Sequence, residues 1–174
     1  MSKIMKRITF FSLMITLFTT IIYLTFKISL FKTLAITFAT TFYHFAMRLL
    51  VGMYYQRKYA NNISWKNKWF NTGKIERKIY KTIKVNRWKK YIPTYNSSFF
   101  DINTCSYEQI AMAMCQAELV HETIIVFSFL PIMAYKWFGS IEVFIITSII
   151  SAFIDLIFVI LQRYNRPRIL RFIH

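Results

Sequence analysis

The chain has 174 residues, of which 56% are hydrophobic and 19% aromatic, and it carries 23 basic against 7 acidic side chains for a formal charge of +16. With only three Gly and three Pro, the composition is not that of a disordered tail, and the length allows a single domain over residues 1–174. The charge alone would suit nucleic acid. Here, however, Lys and Arg are interleaved with long apolar runs and with Trp and Tyr, the pattern of a membrane face drawn to anionic lipid, so no nucleic-acid partner is expected.

Four runs reach the roughly 20 residues that a hydrocarbon core of about 30 Å requires: 8–26, 33–53, 118–137 and 140–161. The expected fold is therefore all-α, a polytopic membrane protein of four transmembrane helices with an interfacial basic and aromatic helical segment. Lys3, Lys6 and Arg7 precede the first run as they would in a signal peptide. No small-x-small cleavage pattern follows, and a second apolar run begins just past Lys32, so the first run reads as a retained span.

Positive charge sets the expected orientation. Lys3, Lys6 and Arg7 lie before the first span, twelve Lys and Arg fall between Arg57 and Lys90, and Arg163, Arg166, Arg168 and Arg171 follow the fourth. The other connections hold only Lys27 and Lys32, and Lys136. An even number of spans with both termini and the 56–105 segment in the cytosol satisfies all three clusters.

Within that middle segment Trp65, Trp69, Phe70, Trp88 and Tyr91 alternate with Lys66, Lys68, Arg87, Lys89 and Lys90. From Lys74 to Asn86, helical spacing puts Ile75, Ile79 and Ile83 under a basic face, as in a helix lying at the lipid interface. Two roles stand for these lysines, a lipid-hugging surface or a place for the phosphates of an anionic substrate. Pro93-Thr94-Tyr95-Asn96-Ser97-Ser98 reads as a loop, and Thr104 or Ser106 with Gln109 as the cap of the third helix. Cys105 and Cys115 have no metal-site spacing and read as ordinary reduced thiols.

Polar residues inside spans are costly in lipid, which makes each a candidate for function. Glu118, His121 and Glu122 occupy i, i+3 and i+4 of the third helix. His44 and Arg48 sit one turn apart in the second, as a functional pair or as a snorkelling one. Asp155 and Gln162 lie two turns apart in the fourth, with Asp155 either catalytic or paired with Arg48 or a tail arginine. All fall toward the cytosolic side, where a shared polar cavity would explain them. Glu-x-x-His can ligate metal, but no second such motif occurs and no metal is expected.

The fourth run ends in Gln162-Arg163-Tyr164-Asn165-Arg166-Pro167-Arg168. Arginine presents a planar fork of donors matched to phosphate or carboxylate, and Pro167 is expected to hold Asn165-Arg166 out of regular helix. The plainer alternative is that these arginines only orient the span.

Together with Ala117-Glu118-Leu119-Val120-His121 and Ser128-Phe129-Leu130-Pro131, this tail resembles the small bacterial membrane family of glycosyl-diaponeurosporenoate acyltransferases, which act at the last step of staphyloxanthin-type carotenoid synthesis. The resemblance runs from about Trp65 onward. It implies an enzyme of the bacterial cell membrane moving an acyl group from acyl-CoA or another activated donor onto a sugar hydroxyl of a glycosylated carotenoid or related glycolipid. The implied partners are membrane lipid and that glycolipid or glycocarotenoid acceptor, with no bound cofactor.

Acyl transfer to a hydroxyl needs a base and donors for an oxyanion. On this reading His121 is the base, oriented by Glu118. Arg163, Asn165 and Arg166 supply oxyanion or phosphate donors, while Gln162, Arg168, His44, Arg48 and Asp155 complete the substrate-binding set. The absence of a Gly-x-Ser-x-Gly elbow favours direct transfer. Other classes compatible with these residues are a lipid-directed methyltransferase or reductase, and a non-enzymatic membrane subunit.

Overall fold

The structure, a computed structural model, describes residues 2–92 and 97–173. The loop expected from Pro93 onward falls, through Asn96, outside the described residues. Among those residues every regular element is helical. The main helices are α1 (Ser2–Phe26), α2 (Ser29–Tyr59), α3 (Lys74–Thr82), α4 (Val85–Trp88), α5 (Tyr107–Phe127), α6 (Tyr135–Phe138) and α7 (Ile141–Ile169). Short 3₁₀ turns interleave them. Four stretches, Lys3–Phe26, Ser29–Tyr59, Tyr107–Phe138 and Ile141–Phe172, are long and apolar enough to cross a membrane.

The helices do not keep to the bounds of the apolar runs that announced them. The third begins at Tyr107, because Ser106 and Gln109 form a reciprocal cap: the Gln109 amide donates to Ser106 Oγ at 3.2 Å, and the Ser106 amide to Gln109 Oε1 at 2.9 Å. It does not run regularly to residue 137. Pro131 cannot donate to the Phe127 carbonyl, so α5 stops there and the chain continues through a 3₁₀ turn, Leu130–Ala134, into α6.

The chain divides into two compact units, one of Ser2–Gly52 and Thr123–Ile154, the other of Met53–Glu122 and Asp155–His174. In the first unit the Phe127 carbonyl that Pro131 leaves free accepts the Tyr43 hydroxyl at 3.0 Å. Arg48 donates to the Ser151 carbonyl and to Ser151 Oγ, which lies 2.8 Å from Ser128 Oγ. Phe10, Phe18, Ile21 and Phe26 of α1 are exposed, an arrangement that lipid favours and water does not.

The second unit is built on Tyr80, Val85 and Leu161, with Trp88, Ile92, Ile157, Phe158, Ile160 and Tyr164 packed against them. Burying each large apolar side chain contributes about 1.5–3 kcal/mol. The core therefore holds α3 and α4 onto the C-terminal half of α7. As the spacing predicted, α3 turns Ile75 and Ile79 outward, with Ile83 exposed just beyond it, while Tyr80 faces the core. The helix does not reach Asn86: Lys84 takes left-handed backbone (φ 51) and starts the separate turn α4.

Pro167 behaves differently from its sequence reading. It does not hold Asn165-Arg166 out of helix, because α7 passes through it to Ile169. A helical proline orphans the carbonyl four residues before it, here that of Arg163. Thr72 Oγ1 donates to this carbonyl at 3.1 Å, which satisfies the acceptor that the proline leaves without its helical partner.

Candidate functional site

Two polar constellations lie within the second unit. The first is a chain of alternating charges. Glu118 on α5 is wholly buried and Arg166 on α7 is 1% exposed. Arg166 donates through Nη1 to Glu118 Oε2 and through Nη2 to the Phe70 carbonyl, with Cys115 Sγ 3.7 Å from Nη1. Arg163 donates through Nη1 to the other Glu118 oxygen at 2.5 Å and to the Trp69 carbonyl at 3.1 Å. Its Nη2 reaches the Asn71 carbonyl at 3.2 Å and Glu76 Oε2 at 3.1 Å, and its Nε donates to Glu76 Oε1.

The two guanidiniums thus collect three successive carbonyls at the end of the turn Lys68–Phe70 and join α3, α5 and α7 through carboxylates. Such buried charges are tolerable because the carboxylates and carbonyls around them take up the guanidinium donors; losing one partner typically costs about 3–5 kcal/mol. Glu76 also accepts from the Tyr80 hydroxyl and the Gly73 amide. Burial alone would raise its carboxyl, but Arg163, Tyr80 and Gly73 outweigh that and bring it down to about 2. Burial, reinforced by the bond to Glu76, pushes the Tyr80 phenol up.

The second constellation is His121 on α5 with Asp155 on α7. Nδ1 lies 2.7 Å from Asp155 Oδ1. The ring stacks on Phe158, centroids 4.7 Å apart and planes 10° from parallel. Asp155 is 1% exposed and His121 21%, so the imidazole is reachable while its carboxylate is shielded. Nε2 has no hydrogen-bond partner among the described residues. A carboxylate on Nδ1 keeps the proton there and leaves the Nε2 lone pair free.

Set against the sequence expectations, the pairing is exchanged. Glu118 does not orient His121, since its oxygens are taken by Arg163 and Arg166, which are close enough to compensate a fully buried charge. Asp155 takes that place. Arg163 and Arg166 do not present open forks to a ligand for the same reason. Asn165 Oδ1 accepts from Lys89 Nζ at 2.9 Å, Arg168 lies exposed over the Tyr164 ring, and Gln162 is half-buried on α7. Glu122 accepts from Trp69 Nε1 at 3.0 Å. His44 is buried in the first unit edge-on to Tyr43, where Arg48 also lies.

Sequence reasoning missed Glu76 and Thr72. Glu76 had a signal, being the single carboxylate among twelve Lys and Arg between residues 57 and 90. Thr72 had none, because its role depends on where Pro167 arrives.

The family model described as glycosyl-4,4'-diaponeurosporenoate acyltransferase matches residues 66–174, the stretch that contains both constellations. No curated protein sequence and no solved structure matches the chain.

Proposed function

Because the chain belongs to the glycosyl-4,4'-diaponeurosporenoate acyltransferase family, we propose that it moves a fatty acyl group from acyl-CoA or a comparable activated donor onto a sugar hydroxyl of a glycosylated carotenoid or related glycolipid. Its four apolar helices suit an acceptor that resides in lipid. We place it in the bacterial cell membrane with both termini and the basic 56–105 segment cytosolic, on the distribution of Lys and Arg.

The observation that carries the chemistry is the His121–Asp155 pair. Nε2 of the neutral ring takes the proton of the attacking hydroxyl. The sugar oxygen bonds to the thioester carbonyl carbon, whose oxygen becomes an oxyanion. Collapse of that intermediate breaks the C–S bond, and the proton on Nε2 passes to the departing thiolate, giving an ester, a free thiol and a neutral His121. Asp155 stabilises the imidazolium between these steps without itself taking the proton. The side-chain amide of Gln162, one turn beyond Phe158 on α7, is the better-suited oxyanion donor. Arg163 and Arg166, already committed to carboxylates and carbonyls, are positioning residues.

Lipid mass spectrometry of cells lacking the protein, complemented with wild type or His121→Gln, tests this. Acylated glycolipid should return with wild type alone, and the unacylated acceptor should accumulate with the variant. Wild-type protein that alters no acylated lipid would end the acyl-transfer reading, and an active His121→Gln would remove its base.

A further inference from the structure

Charge on the tail is unevenly spent. Glu76 and Glu118 neutralise Arg163 and Arg166, Asp155 is held by His121, and Glu122 by Trp69. That leaves two cations on the same aromatic ring. Arg168 lies with its guanidinium carbon 4.0 Å from the Tyr164 centroid, and Lys89 Nζ is 5.3 Å from it. Arg168 Nη2 also donates to the Tyr164 hydroxyl, and Lys89 to Asn165 Oδ1. Neither cation has a carboxylate at ion-pairing distance among the described residues.

A ring face attracts each cation by about 0.5–1 kcal/mol when exposed, but it does nothing for their mutual repulsion. The ammonium of Lys89 is held below its usual range, by partial burial first and by Arg168 second. Two cations on one ring, Lys89 partly buried and Arg168 exposed, with no carboxylate at ion-pairing distance, are an arrangement that an added anion stabilises. The fork of Arg168 and the point charge of Lys89 can each take a different oxygen of one phosphate.

We infer that Lys89 and Arg168, gathered at the Tyr164 ring with Asn165 next in the chain, form a phosphate-binding subsite. Asn165 follows Phe158 by seven residues, two helical turns on the same stripe of α7, so the subsite lies roughly 10 Å along the helix from the ring on which His121 stacks. A phosphate has two sources there: the nucleotide carrier of an activated acyl donor, or the headgroup of a glycerophospholipid. The donor source rests on the acyl-transfer reading; the binding of phosphate does not.

The test uses full-length protein in neutral nanodiscs and reads binding without turnover. Affinity is measured for palmitoyl-CoA, and retention of phosphatidylglycerol against phosphatidylcholine by native mass spectrometry. Lys89→Met with Arg168→Gln should weaken at least one by about ten-fold or more, as expected for losing charge-assisted bonds. Lys89→Arg with Arg168→Lys should restore it to within a few-fold. A loss confined to palmitoyl-CoA assigns the subsite to the donor, and one confined to phosphatidylglycerol assigns it to lipid. Should the double variant not fold, Arg168→Gln alone, on an exposed side chain, serves with an expected smaller loss. Unchanged binding of both probes in a folded variant overturns the subsite, and it would do so even if acyl transfer itself were demonstrated. Failure of acyl transfer with phosphate binding intact would instead remove only the donor source.

Discussion

His121 Nδ1 lies 2.7 Å from Asp155 Oδ1, and the two residues come from different helices, α5 and α7. For a base oriented in this way, His121→Gln should lower kcat by about 10²- to 10⁴-fold while the protein still inserts and binds donor. Asp155→Asn should also lower kcat, with KM little changed, since an amide can hold the ring but cannot stabilise its cationic form. Transfer of radiolabelled acyl groups in membranes from each variant reads both. Equal activity for Asp155→Asn and wild type would separate the carboxylate from the chemistry.

The buried clamp makes a prediction about stability rather than rate. Glu118→Gln leaves Arg163 and Arg166 short of a counter-charge and should cost about 3–5 kcal/mol. Arg166→Lys should also destabilise strongly, because one ammonium cannot reach Glu118 and the Phe70 carbonyl as the fork does. Arg168→Lys, on an exposed side chain, should stay within about 0.5 kcal/mol of wild type. Thermal unfolding of the detergent-solubilised variants ranks the three.

Acid should act on the protein partly through Glu76. Its carboxyl is lowered from 4.5 to about 2 in the folded chain, so its contribution is complete above pH 4.5 and is lost as pH falls toward 2. After allowance for partial exposure this amounts to about 1–2 kcal/mol. Glu76→Gln should therefore be less stable than wild type at neutral pH, with the difference shrinking through that window. A difference independent of pH would mean that the ion pair with Arg163 contributes nothing.

Thr72 and Pro167 should be energetically coupled. Thr72→Val leaves the Arg163 carbonyl without its donor and should cost about 1–3 kcal/mol. In a Pro167→Ala background the helix regains its own N–H at that carbonyl, and the same Thr72→Val change should cost clearly less. The double-mutant cycle measures that difference directly; additive costs would show that the hydroxyl does not substitute for the missing amide.

Orientation is tested by single-cysteine labelling in otherwise cysteine-free protein. A cysteine at position 81, on the solvent side of α3, should react with a membrane-impermeant thiol reagent only after the cells are opened. Labelling in intact cells would reverse the proposed topology.

The helical class, the four apolar stretches, the cap at Ser106 and the outward isoleucines of α3 were legible in the sequence, because each follows from local periodicity or from residues three to four apart. His121, Asp155 and the tail arginines were legible as individuals, since ionisable groups in apolar runs stand out. Their partners were not. Glu118 and His121 are one turn apart on one helix and seem natural mates by spacing, yet only the tertiary fold brings Arg163 and Arg166 onto Glu118 and Asp155 onto His121. A buried carboxylate goes to the partner that best compensates its lost hydration, and which cation arrives is decided by packing between segments dozens of residues apart. Pro131 and Pro167 carry the same lesson in the backbone. Each removes one donor as the sequence says, but which distant hydroxyl fills the vacant carbonyl is decided by the tertiary fold. Tyr43 caps a helix that ends and Thr72 sustains one that goes on.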